Sequence, residues 1–164
     1  MSRRLIFFTV FAACAGLMGF GLYLQHVEHL EPCPLCIFQR YAFVATGAIA
    51  LVATLHGPGR WGQVVYGALL AVSAGIGAAI AGRQTWLQHN PPQVFDCGPD
   101  LGYMLDSFPL TQVLPKVFKG EGDCASAGWK FLNLSIAEWA LLWFLAFIAV
   151  GLYLAVTRLR SAVA

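Results

Sequence analysis

Four long stretches of this chain are almost free of charge: Leu5–Leu24, Ile37–Leu55 (broken only by Arg40), Trp61–Gly82 and Trp139–Val156. A helix needs about 20 mostly apolar residues to cross a ~30 Å hydrocarbon layer. Only helices and closed barrels can satisfy their backbone polar groups in that layer. Each run is long enough for one crossing and none for two. The pattern predicts an all-α, four-helix transmembrane bundle that forms one integral membrane domain over residues 1–164. Composition excludes the soluble alternatives. Hydrophobic residues make up 59% of the chain and charged residues 11%, against ~45–50% and ~25% in ordinary soluble domains. A net charge of +2 creates no field for a polyanion, so nucleic acid is not an expected partner.

Charge placement predicts the orientation. Arg3 and Arg4 precede the first run, Arg60 lies between the second and third, and Arg158 and Arg160 follow the fourth. These segments share one side if all four runs cross, and the positive-inside rule makes that side the cytoplasm. Both termini are therefore expected in the cytoplasm, with two loops, about 25–36 and 83–138, on the outer face. Those loops hold all eight acids, from Glu28 to Glu138. Lys116, Lys119 and Lys130 run against the trend but are diluted in the longer loop. A signal peptide is the competing reading of Ser2-Arg3-Arg4 and the run behind it. Secretory apolar cores are only ~7–15 residues long, and here the run continues past Cys14 to Leu24. In the longer loop, His89-Asn90-Pro91-Pro92 should end the third helix. The apolar spacing over 105–118 suggests a short amphipathic helix on the membrane surface, and Trp129 and Trp139 suit the interface.

The five cysteines fall unevenly on this map. Cys14 lies in the middle of the first run and reads as a small core hydrophobe. Cys33, Cys36, Cys97 and Cys124 lie in the outer loops. If the membrane is a bacterial inner membrane, that face is the periplasm, where disulfides persist. Four cysteines allow three pairings. Cys33-Pro34-Leu35-Cys36 has the C-x-x-C spacing of a small reversible redox ring, which leaves Cys97 with Cys124. Pro34 suits the first position of a helix, putting Cys33 at its N-cap and Cys36 in its first turn. A helix N-terminus carries a partial positive charge that stabilises an anion, and the thiolate is the reactive form of cysteine. Arg40 lies one turn beyond Cys36 on the same face. Arg40 and Arg83 both sit near the outer ends of their helices, where intramembrane ionisable residues mark function by default. Blander readings stand beside these: a zinc site completed by Cys97 and Cys124, two inert structural disulfides, or an Arg40 that merely snorkels to the interface. His26 and His89 read as interfacial polar residues.

The segments Leu24-Gln25-His26-Val27 and Glu31-Pro32-Cys33-Pro34-Leu35-Cys36-Ile37-Phe38-Gln39-Arg40-Tyr41 resemble the bacterial disulfide bond formation protein B (DsbB) family. Phe95-Asp96-Cys97 and Gly122-Asp123-Cys124-Ala125 follow in the family's order, and the resemblance covers essentially the whole chain. It implies a thiol:quinone oxidoreductase of the bacterial inner membrane with a periplasmic active face. Cys97 would be attacked by a reduced DsbA-like oxidase, with Cys124 as its disulfide partner. Cys33 would exchange with that pair, and Cys36 would face a quinone (ubiquinone or menaquinone) oriented by Arg40. Some members carry a histidine just before the threonine near the outer end of the third helix, where this chain has Gln84 between Arg83 and Thr85. Two rivals are a quinone reductase resembling the vitamin K epoxide reductases, whose C-x-x-C falls late in the bundle, and a non-enzymatic scaffold with permanent disulfides.

Overall fold

A computed structural model describes residues 3–30, 32–90 and 130–163, with side-chain surroundings up to Thr157. Its helices are α1 (Arg3–His26), α2 (Pro34–His56), α3 (Arg60–His89) and α4 (Ile136–Val163), with two short strands before α4, β1 (Lys130–Phe131) and β2 (Leu134–Ser135). All four helices are long and apolar enough to cross a membrane. Their outward surfaces carry the side chains that a soluble protein would bury: Leu55 is 75% exposed, Val72 63% and Ile76 59%. Apolar flanks of this extent suit a lipid solvent.

The helices outrun the apolar stretches that announced them. α3 continues through Arg83 and Gln84 to His89. At about 1.5 Å per residue, its 30 residues span some 45 Å, enough to cross the hydrocarbon and enter both headgroup layers. A polar turn at such an end keeps its helical hydrogen bonds, so charge alone does not stop the helix. The stop comes at Asn90, whose N–H donates to the Trp86 carbonyl at 2.9 Å.

The turn between α2 and α3 is short because glycine makes it possible. Gly57 caps α2 at φ +57°, the left-handed region, and its N–H donates to the Ala53 carbonyl. Arg3 at the start of α1 donates to Gln63 in the first turn of α3 at 2.7 Å. Gly67 and Gly151 pack against each other near the same end. The beginning of α1, the α2–α3 turn and the latter part of α4 therefore gather at one end of the bundle.

Small residues set the interhelical spacing. A Cβ on Gly67 would lie 2.8 Å from the Gly151 carbonyl oxygen, and one on Gly151 would lie 2.7 Å from that of Gly67. Such close backbone approach is how membrane helices gain contact when lipid offers no hydrophobic driving force between them. Aromatic rings join α2 to α4. Phe144 stacks on Phe43 with ring centroids 4.1 Å apart, and Phe147 meets Phe43 edge-on. Gly77 leaves the room that Phe144 occupies. Thr46 adds a polar tie, donating to the Ala42 carbonyl and meeting Ser73 Oγ at 3.0 Å. Cys14 is buried against Gly47, the surroundings expected of a small core side chain.

The entry to α4 contains a device that apolar patterning did not reveal. β1 and β2 pair antiparallel through a turn at Leu132 and Asn133, both at positive φ. Ser135 and Glu138 then form a capping box. The Glu138 N–H donates to Ser135 Oγ at 3.3 Å, and the Ser135 N–H donates to Glu138 Oε2 at 2.6 Å. Ser135 Oγ donates to Gln88 Oε1 at 2.7 Å, and His89 Nε2 lies 3.7 Å from Glu138 Oε1, so this cap also ties α4 to the end of α3.

The backbone contact at Gly67 and Gly151 yields a test. Gly151→Val should cost about 1–3 kcal/mol through overpacking, read as a lower thermal midpoint in detergent. Gly75 faces open space, so Gly75→Ala should keep the midpoint or raise it slightly.

Candidate functional site

The site is built around the start of α2. Cys33 adopts an extended N-cap conformation (φ −64°, ψ 161°), the backbone favoured before a proline, and Pro34 occupies the first turn. Proline has no N–H to leave unsatisfied at this position. The Cys36 N–H is satisfied by Cys33 Sγ at 3.4 Å, so the first cysteine caps the helix that carries the second. The two sulfurs lie 3.0 Å apart in a thiol–thiol hydrogen bond. This separation exceeds the ~2.05 Å of a disulfide bond between them.

Leu35, Ile80 and Leu87 form a buried apolar patch, with Cys33 and Phe38 packed against it. One face of the sulfur pair is thereby shielded from solvent. The polar contact comes from α3. Gln84 is buried, and its amide nitrogen donates to Cys36 Sγ at 3.1 Å and to Cys33 Sγ at 3.3 Å. Its amide oxygen accepts from Gln39 Nε2 at 2.6 Å. Gln39 belongs to the same helix as Cys36, so the contact runs from α2 to α3 and back to α2. Chain spacing gave no hint of this arrangement, because Gln39 and Gln84 are 45 residues apart.

Arg40 follows Cys36 by one turn and reaches toward α1. Its Nη1 donates to Gln25 Oε1 and its Nη2 to the Gly21 carbonyl at 3.0 Å. The guanidinium packs beside Gly21, where a Cβ would lie in ordinary contact with it, 3.7 Å from Arg40 Nε. The cation is thus set between α1 and α2, while the sulfurs are contacted from α3. Guanidinium has five N–H donors, so these two bonds leave others for a further acceptor. Arg83 is half-buried on α3 next to Gln84; consecutive helical residues point about 100° apart, so the two leave the helix in different directions. Thr85 Oγ1 is a buried side-chain oxygen with no hydrogen-bond partner among the described residues. His89 Nδ1 donates to the Thr85 carbonyl at 2.9 Å, at the rim of this end. Cys97 and Cys124, the amphipathic segment 105–118 and Trp129 lie outside the described residues. No group of three or more metal-binding side chains occurs among the described residues.

Adjacent thiols at a helix start, with neutral donors aimed at both sulfurs and a cation one turn deeper, are suited to thiol–disulfide exchange. Comparison with known proteins agrees. The family model described as Disulfide bond formation protein DsbB matches residues 3–154. The chain is 56% identical over 153 residues to the disulfide bond formation protein B of Azoarcus sp. (strain BH72), spanning 93% of this chain and 92% of the relative. It is 54% identical over 160 residues to that of Aromatoleum aromaticum, spanning 98% and 96%. It is 49% identical over 159 residues to that of Marinobacter nauticus, spanning 96% and 95%. These matches run from the first helix into the last. The chain therefore belongs to the DsbB family of multi-pass membrane proteins, whose general business is disulfide formation.

Proposed function

We propose that this protein is a protein-disulfide:quinone oxidoreductase of a bacterial inner membrane. In this reading it reoxidises a soluble periplasmic DsbA-type thiol oxidase. Both termini lie in the cytoplasm and the Cys33 end of the bundle faces the periplasm. Electrons pass from the oxidase to Cys97–Cys124, then to Cys33–Cys36, and on to ubiquinone or menaquinone. The observation that carries the reading is the sulfur pair at the start of α2, 3.0 Å apart and held by Gln84.

Thiol–disulfide exchange requires a thiolate with access to a disulfide sulfur, and it proceeds through a mixed disulfide. Cys33 is the outer member of its pair, at the cap, and is placed to receive the exchange from the loop cysteines. Cys36 lies inside the first turn and nearer Arg40. Oxidation of the pair joins the two sulfurs and releases two electrons and two protons. Gln84 favours whichever sulfur carries negative charge, since hydrogen bonds to a charged acceptor are the stronger kind.

The donors present fit a quinone. Two carbonyl oxygens on a flat ring call for N–H or O–H groups beside an apolar wall. Arg40 has N–H groups to spare, Thr85 has an unpartnered buried hydroxyl, and Phe38 belongs to the apolar patch. When bound, the quinone supplies a two-electron, two-proton acceptor that dissolves in the bilayer. Arg40 would hold and polarise it, and Arg83 is a further candidate for contact.

Turnover of the purified protein with reduced DsbA-type oxidase and a soluble quinone analogue tests the proposal. Serine at any one of Cys33, Cys36, Cys97 or Cys124 should abolish turnover, and Cys14→Ala should leave it intact. A Cys36→Ser protein that reduces quinone at the normal rate would overturn the assignment. Arg40→Ala should lower kcat/KM for the quinone analogue by about 10- to 100-fold, the worth of a lost charged hydrogen bond. Single-turnover exchange with the oxidase, followed by acid trapping, should be unaffected by the same substitution.

A further inference from the structure

Gln39 and Gln84 are 4% and 3% exposed, and they are the two buried carboxamides among the described residues. A buried amide is costly unless its groups are paired, and here the pairing is directional. A carboxamide has two N–H donors on one side and a carbonyl oxygen on the other, in nearly the same shape. Turned one way, Gln84 offers the sulfurs two donors. Turned the other way, it offers them lone pairs, which repel a thiolate. The bond from Gln39 Nε2 to Gln84 Oε1, at 2.6 Å, selects the first orientation. Gln39 sits three residues beyond Cys36 on α2, so the group that orients the amide moves with the sulfurs that the amide contacts.

We infer that Gln39 is a positioning residue for the redox pair: it holds the Gln84 carboxamide with its NH2 group toward both sulfurs, and thereby sets the reactivity and the redox equilibrium of Cys33 and Cys36 without touching either. The inference rests on the reading of these two cysteines as a redox couple. When the dithiol is oxidised, the S–S bond forms and two electrons and two protons depart; in a glutathione buffer they reduce one glutathione disulfide to two thiols. The donors of Gln84 favour the thiolate over the uncharged disulfide. An oriented amide therefore stabilises the reduced form and makes the couple more oxidising.

A bland account is also available, in which two buried amides simply hold α2 to α3. Substitutions at Gln39 separate the two. Gln39→Leu removes the orienting donor. Gln39→Glu keeps the shape but presents a carboxylate, which accepts from the Gln84 NH2 and turns its oxygen toward the sulfurs. The experiment uses the full chain in lipid nanodiscs, equilibrated with glutathione buffers and trapped by alkylation, with the Cys33–Cys36 peptide resolved by mass. The expected order of oxidising strength is wild type, then Gln39→Leu, then Gln39→Glu. The Gln39→Glu couple should be shifted by about ten-fold in its equilibrium constant, or about 30 mV. Alkylation of the reduced dithiol by iodoacetamide at neutral pH should slow in the same order. In a Gln84→Leu background, Gln39→Leu should add nothing. A Gln39→Glu couple equal to wild type, or a Gln39→Leu effect that persists undiminished in Gln84→Leu, overturns the inference. If Gln39→Leu fails to fold, the near-isosteric Gln39→Glu protein decides the question alone. A wild-type pair that never forms a disulfide in these buffers overturns both this inference and the redox reading beneath it.

Discussion

The start of α2 is the constraint on which the rest of the site depends. The first N–H groups of any helix lack partners within the helix, and at the edge of a membrane there is little water to supply them. Here the missing acceptor is a sulfur. Cys33 caps the helix through its side chain, Pro34 removes one donor, and the Cys36 N–H donates to Cys33 Sγ. A single local solution to a backbone problem thus brings the two thiols together. Helix geometry then puts Gln39 and Arg40 one turn further in, where each meets a different neighbour: Gln39 meets α3 and Arg40 meets α1.

The tight packing between α3 and α4 serves this site from a distance. Gly67 against Gly151 and Phe144 against Gly77 hold α3 at a defined depth. Gln84 lies two turns beyond Gly77 along the same helix, so its distance from the sulfurs depends on how closely α3 packs against α4. Hydrogen bonds of 3.1 and 3.3 Å to sulfur do not survive large displacements, and a rigid helix provides the tolerance that they need.

Much of this architecture was legible in the sequence, for local reasons. Run length predicted the four helices, and Cys33-Pro34 predicted the beginning of α2 because capping depends on adjacent residues. The Asn90-Pro91-Pro92 stop was legible for the same reason. The apolar run stops before Arg83 while the helix continues to His89, because a charge ends an apolar run but not a helix. The Ser135-x-x-Glu138 box was readable in principle but was hidden by attention to hydropathy, which treats Ser135 and Glu138 only as polar. The Gln39–Gln84 bond was beyond reach, since it joins distant residues whose meeting depends on how two helices rotate against each other. In the sequence, Gln84 stands out only as the position where some members of the DsbB family have histidine. Its bonds to both sulfurs belong to the fold.

The Ser135–Gln88 and His89–Glu138 contacts join the last turn of α3 to the first turn of α4. They form a clasp between the described segment that ends at Asn90 and the one that begins at Lys130. Gln84 lies one turn from Gln88, so this clasp also steadies the amide that contacts the sulfur pair.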